Sequence, residues 1–121
     1  MSYTILVIED TPDTRELIKV TLELEGYRVL EAENGLEALD RARKDRPDAI
    51  LMDMSLPLMD GYVTTKQLRQ ESALSAVPII ACTAHNRWEW HGKAIAAGCT
   101  DFLMKPLEPK VLLATLARYL R

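Results

Sequence analysis

Aromatic residues make up only 6 % of this chain, with Phe102 the sole phenylalanine. Cysteine is scarcer still: Cys82 and Cys99 are the whole supply. Two thiols cannot form the dense disulfide scaffold of small secreted domains, and they read as buried thiols in a reducing compartment. No lysine or arginine run is present and the net charge is −3, which argues against direct binding to nucleic acid. No apolar stretch approaches the roughly 20 residues of a membrane span. The opening MSYTILVIED has neither the basic start nor the small-residue cleavage site of a secretory leader, so a cytoplasmic location is expected. Linkers, repeats and low-complexity segments are also missing. What is present is an ordinary globular composition, 48 % hydrophobic and 27 % charged over 121 residues. That is enough apolar material for one core, and 1–121 is read as one domain.

Short aliphatic blocks alternate with amphipathic segments along the whole length. Thr4 to Ile8 is a continuous apolar run, the pattern of a strand buried on both faces of a parallel sheet. Between Asp13 and Glu25, Leu17, Val20 and Leu24, together with Ile18 and Leu22, recur at helical spacing until Gly26. The spacing then predicts strands over Arg28–Ala32, Ala49–Asp53, Pro78–Thr83 and Phe102–Met104. Helices are expected over Leu36–Lys44, Tyr62–Glu71, Trp88–Ala97 and Pro109–Tyr119. Pro109 suits the first turn of its helix, and Pro78 the first position of its strand. Five strand–helix pairs in this order imply right-handed crossovers and a parallel α/β sheet covered on both faces.

Ligands of such sheets bind beyond the carboxyl ends of the strands. The residues that follow the apolar runs there are Glu9 and Asp10, Asp53, Thr83, and Lys105-Pro106. Carboxylates gathered at one edge repel each other unless a cation lies among them. An all-oxygen set without His or Cys suits a hard ion, Mg²⁺ above all, which binds together with phosphate. Lys105 offers a positive charge to a phosphoryl oxygen and Thr83 a hydroxyl. Aspartate is a competent nucleophile toward phosphoryl groups, and transfer then needs mainly positioning and charge neutralisation.

These residues carry a resemblance over essentially the entire chain. Ile5-Leu6-Val7-Ile8-Glu9-Asp10, Leu51-Met52-Asp53-Met54-Ser55-Leu56-Pro57-Leu58-Met59-Asp60-Gly61, Ile79-Ile80-Ala81-Cys82-Thr83-Ala84, Ala97-Gly98 and Asp101-Phe102-Leu103-Met104-Lys105-Pro106 follow in order. The chain resembles the receiver domains of two-component response regulators. The resemblance implies a flavodoxin-like, doubly wound (βα)5 fold whose five parallel strands run 2-1-3-4-5. It implies a signalling switch rather than an enzyme, in which Asp53 accepts a phosphoryl group from a histidine kinase or histidine phosphotransfer protein. Mg²⁺ would be held by Glu9, Asp10, Asp53 and the Ser55 backbone carbonyl, with Asp10 the more direct ligand and Glu9 acting through water. Lys105, Thr83 and Ala84 would contact the phosphoryl group, and Pro106 would follow a cis peptide. Thr83 and Phe102 match the switch pair. Phe102 lacks the phenolic hydroxyl often found there, which excludes a tyrosine-type hydrogen bond but not burial of the ring.

The remaining features are read locally. Ser55 and His85, each two residues after a site residue, are expected to tune the lifetime of an acyl phosphate. Trp88 and Trp90 cannot share one helix face; they are assigned to a partner surface on the fourth helix, fifth strand and fifth helix, a face also suited to a homodimer. His85 and His91 lack metal-pair spacing and are read as surface residues. Met52, Met54, Met59 and Met104 are read as adaptable packing atoms. Met1 and the ending Tyr119-Leu120-Arg121 favour a stand-alone regulator with an unknown downstream protein target. An alternative is an aspartyl-phosphate hydrolase on a similar sheet, but such enzymes resemble one another in a second aspartate two residues after the nucleophile, where Ser55 stands. A flavin or nucleotide binder lacks its glycine-rich loop: Glu9-Asp10-Thr11-Pro12 would repel a phosphate.

Overall fold

A computed structural model describes the backbone of residues 2–56, 59–84 and 88–120, and the side chains of the same residues except 88–90. The chain alternates β1 (Thr4–Ile8), α1 (Pro12–Leu24), β2 (Arg28–Ala32), α2 (Gly35–Asp45), β3 (Ala49–Asp53), α3 (Gly61–Arg69), β4 (Ile79–Thr83), α4 (Trp88–Ala97), β5 (Asp101–Met104) and α5 (Pro109–Tyr119). All five strands pair in parallel in the order β2-β1-β3-β4-β5. This is the expected doubly wound order, with the direction of winding reversing between β1 and β3.

The continuous apolar strands lie at the centre. All residues of β3 and β4 are buried, whereas β2, at the edge, buries only Ala32 fully. One face of the sheet packs Ile5, Val7, Leu51 and Ile80 against Ile18 and Leu22 of α1 and Leu112 and Leu116 of α5. The other packs Leu6, Ile8, Ile50 and Met52 against Leu39 of α2, Leu68 of α3 and Ala94 of α4. Fully burying each such side chain contributes about 1.5–3 kcal/mol, so these two layers fix the sheet and with it the rim of the site.

Helix boundaries follow local chemistry. Asn34 caps α2 by accepting from the Glu37 N–H, and Asp60 caps α3 by accepting from the Val63 N–H, satisfying amides that have no partner inside the helix. Gly26 (φ +94°) and Gly98 (φ +116°) turn the chain after α1 and α4 in the left-handed region that glycine tolerates.

Beyond one-residue shifts at the bounds of α2, α3 and β5, these details depart from the sequence expectations. Of the five apolar residues of α1, only Ile18 and Leu22 are buried; Leu17 (65 %) and Leu24 (83 %) are strongly exposed, with Val20 less so. Two stripes share the helical period, and only one can face the sheet. The third helix stops at Arg69, two residues short of the predicted end, and a separate 3-10 turn, Ser72–Leu74, seats Leu74 in the core. The fourth strand starts at Ile79, while Pro78 still contributes its carbonyl to the Ile50 N–H.

Candidate functional site

The site forms where β1, β3 and β5 end. The Glu9 carboxylate enters from the residue after β1, Asp53 is the last residue of β3, and Lys105 follows β5. Glu9 and Asp53 are only 3 % and 4 % exposed, while Asp10 faces solvent. Lys105 Nζ lies 2.8 Å from Glu9 Oε1 and 3.4 Å from Asp53 Oδ1. The Lys105 N–H donates to the Thr83 carbonyl at 2.8 Å, which ties the lysine's loop to the end of β4. The Lys105–Pro106 peptide is cis, as the resemblance implies.

Each of the two buried carboxylates is held by a main-chain donor. Ser55 N–H donates to Asp53 Oδ1 at 3.0 Å, and Thr11 N–H to Glu9 Oε2 at 3.2 Å. Close packing seats the start of α3 against the end of β3. A Cβ on Gly61 would stand 2.6 Å from the Asp53 carbonyl oxygen and 2.7 Å from Met54 Cα, so only glycine lets α3 start this close to the strand end.

The electrostatics are those of a partly neutralised acid cluster. Burial, with the Glu9 charge beside it, pushes the Asp53 carboxyl up to about 6 despite the Ser55 N–H and the Lys105 charge. Glu9 moves the opposite way. Burial pushes its pKa up, but the Lys105 and Thr11 donors outweigh it and hold the group below the ordinary carboxylate range. Burial works against the Lys105 charge, yet hydrogen bonding to Glu9 and the two carboxylates raise its pKa. One oxygen from each of Glu9, Asp10 and Asp53 lies within 4.8 Å of the others. This is an all-oxygen donor set of unequal accessibility, buried at two members and open to water at the third. It fits a small hard cation that keeps part of its water shell, and such a cation would remove the repulsion that raises Asp53.

The other predicted residues fall as follows. Thr83 is buried at the end of β4, and Ala84 follows it, exposed. Ser55 is exposed beside Asp53. Phe102 is half-buried against the α2–α3–α4 layer, and its ring stacks on His91 with centroids 3.8 Å apart and planes at 22°. The reading of His91 as a surface residue is therefore corrected: α4 lays its imidazole on the ring of Phe102, where apolar contact shields it. Met52 and Met54 are core residues, as expected, whereas Met104 is exposed. His85 lies outside the described residues, as do the side chains of Trp88 and Trp90, which belong to α4.

Sequence reasoning missed Arg15. Its Nη1 donates to the Glu9 carbonyl at 2.8 Å while its Nε meets Glu31 at 3.2 Å. The partners lie on two elements, and no local spacing signals them. An apolar groove bordered by Leu17, Ile18, Pro106, Leu107 and Leu112 opens beside Lys105, built from α1 and the segment leading into α5.

Comparison with known proteins agrees with this geometry. The family model for the response regulator receiver domain matches residues 5–117. The polar-differentiation response regulator DivK of Brucella anthropi is 35 % identical over 120 residues, covering 99 % of this chain and 98 % of its own. The structure of the chemotaxis response regulator CheY4 of Vibrio cholerae superposes with a TM-score of 0.95 at 35 % identity, covering 99 % of this chain and all of CheY4. The receiver domain of a sensor histidine kinase from Pseudomonas aeruginosa is 37 % identical with a TM-score of 0.91, each chain covered to 98 %. That domain was solved with a magnesium ion coordinated in its active-site cleft.

Proposed function

The chain belongs to the response regulator receiver domain family of two-component signalling, and on that premise we propose that it is a phosphorylation-controlled switch acting through Asp53. The observation that carries this reading is the placing of Asp53 at the end of β3, with Lys105 Nζ 3.4 Å away and Glu9 and Asp10 within reach of one cation. The donor is the phosphohistidine of a histidine kinase or of a histidine phosphotransfer protein. An Asp53 carboxylate oxygen attacks phosphorus, the phosphorus–nitrogen bond breaks, and the electron pair stays on the imidazole, which takes up a proton. Asp53 becomes an acyl phosphate.

Glu9, Asp10, Asp53 and the Ser55 backbone carbonyl would hold Mg²⁺, which supplies charge neutralisation for the carboxylates and the incoming phosphoryl oxygens. Lys105 turns its ammonium from Glu9 toward a phosphoryl oxygen, and the Thr83 hydroxyl and Ala84 N–H donate to another. Movement of Thr83 draws the Phe102 ring inward, and the change is read on α4, β5 and α5. Trp88 and Trp90 belong to that partner surface, which also serves a homodimer. Ser55 and His85 flank the phosphoryl group and set the rate of slow autodephosphorylation. The domain spans 1–121, works in the cytoplasm, and signals to a downstream protein rather than to nucleic acid or membrane. No described helix is long and apolar enough to cross a membrane.

A hydrolase is the competing reading, and the two part on turnover. Incubation with a labelled small acyl phosphate is expected to leave one label per chain, labile to hydroxylamine and missing from Asp53→Asn. A simple phosphate ester is expected to undergo no turnover. Sustained ester hydrolysis would support the hydrolase and overturn the switch.

A further inference from the structure

Glu9 is fixed at every polar atom. Its N–H donates to the Ala32 carbonyl at 3.0 Å, its Oε2 accepts from Thr11 and its Oε1 from Lys105. Its carbonyl accepts from Arg15 Nη1 at 2.8 Å. Asp10 is the opposite case: it is exposed, and among the described residues its carboxylate makes no hydrogen bond or ion pair. The place of Asp10 therefore comes from its backbone. The peptide joining Glu9 to Asp10 is planar, so whatever fixes the Glu9 carbonyl also fixes the amide and Cα of Asp10.

Arg15 is itself braced. Its side chain is 14 % exposed, with Nε 3.2 Å from Glu31 Oε1 and Nη2 3.8 Å from Glu33 Oε1. Lys19 sits 3.5 Å from the other Glu31 oxygen and holds that carboxylate from its second side. A guanidinium presents these donors in one rigid plane, which a lysine ammonium cannot reproduce. Three elements thus converge on one carbonyl: α1 carries Arg15, the chain at and after β2 supplies Glu31 and Glu33, and the residue after β1 is the acceptor.

We propose that Arg15 is a positioning residue for the cation site, holding the Glu9–Asp10 peptide so that Asp10 stands ready to ligate. This rests on the reading of Glu9, Asp10 and Asp53 as the Mg²⁺ site. It has a distinctive sign. Arg15 is a cation close to a cation site, so by charge alone its removal should tighten metal binding. If it positions Asp10, its removal should weaken binding.

The test is titration of the full chain with Mn²⁺, following free Mn²⁺ by electron paramagnetic resonance. The proteins are wild type, Arg15→Met, Arg15→Lys and Asp10→Asn. Circular dichroism and thermal unfolding in EDTA identify the folded variants, and Arg15→Lys serves if Arg15→Met does not fold. Arg15→Met is expected to weaken Mn²⁺ binding roughly ten-fold, the scale of a lost outer-sphere contact. Arg15→Lys should also weaken it, because it keeps the charge and loses the fork. At saturating Mg²⁺ the phosphorylation rate of Arg15→Met should return to near wild type. Unchanged or tighter binding by Arg15→Met, or full recovery in Arg15→Lys, would overturn the proposal. Wild-type binding that is absent, or unaffected by Asp10→Asn, would instead remove the cation site on which it rests.

Discussion

Lys105 stands closer to Glu9 than to Asp53: its ammonium is 2.8 Å from the glutamate and 3.4 Å from the aspartate. The longer reach of a glutamate after β1 lets it occupy the lysine directly. In this arrangement one ammonium serves two buried carboxylates.

Removal of that ammonium has a defined pH signature. Glu9 is held below its ordinary value and Lys105 above its own. The stability they share is therefore present above about the unfolded carboxylate value of 4.5, and is lost as pH falls through the folded value of Glu9. Lys105→Met should destabilise the metal-free protein by about 2 kcal/mol at pH 7.5, because it leaves buried charge unpaired. The difference from wild type should shrink steadily toward pH 3. Urea unfolding at the two pH values checks this.

Asp53 carries the opposite sign. Its folded pKa, pushed up to about 6 by burial and the Glu9 charge, means that the folded state binds a proton more tightly than the unfolded chain. Stability then falls as pH rises from about 4 to 6, by roughly 3 kcal/mol. Asp53→Asn should accordingly raise the melting temperature in EDTA at pH 7.5 by about 5 °C or more. Near pH 4, where the aspartate is neutral as well, the advantage should disappear. Calorimetry at both pH values gives the answer.

Glycine substitutions should separate space from propensity. A Cβ on Gly61 would meet backbone, the Asp53 carbonyl oxygen at 2.6 Å and Met54 Cα at 2.7 Å, and neither can give way without moving the site. Gly61→Ala is expected to destabilise by about 1–3 kcal/mol and to slow phosphorylation. Gly92 lies within α4, and a Cβ there would meet nothing within 4 Å. Gly92→Ala should stabilise by about 0.5–1 kcal/mol. Denaturant unfolding of the pair measures both.

Arg69 binds the far end of the sheet together. Its guanidinium donates to the carbonyls of Gly98 (2.8 Å), Leu74 (2.8 Å) and Val77 (2.7 Å) and to Thr100 Oγ1 (3.2 Å). Arg69→Ala removes all of these donors at once and should destabilise by about 2–4 kcal/mol. Arg69→Lys should recover less than half of that, since one ammonium cannot span all four. Thermal unfolding of both variants checks the order.

Much of this architecture was legible in the chain. The aliphatic blocks of β1, β3 and β4 are centrally buried runs, whose lack of alternation announces a parallel sheet, and the residues just after them are the rim. The site followed because Glu9, Asp10, Asp53, Thr83 and Lys105 each sit at a strand end. What stayed hidden depends on contacts distant in sequence. The helical period of α1 contains two apolar stripes, and only the packed sheet separates Ile18 and Leu22 from Leu17 and Leu24. The bond of Arg15 to Glu9 needs Glu31 as a brace, and the early end of α3 belongs with the carbonyls that Arg69 gathers. The stack of His91 on Phe102 joins α4 to β5 and has no local signature.

The central claim is phosphoryl acceptance at Asp53 assisted by a divalent cation. Intact-mass measurement after incubation with acetyl phosphate tests it most directly, with Mg²⁺ or EDTA and with Asp53→Asn alongside. The account predicts one phosphoryl group per chain, present only with Mg²⁺ and only in the protein that keeps Asp53. An adduct of equal size in Asp53→Asn, or no adduct on wild type either with acetyl phosphate or with a phosphorylated histidine phosphotransfer protein, would contradict it.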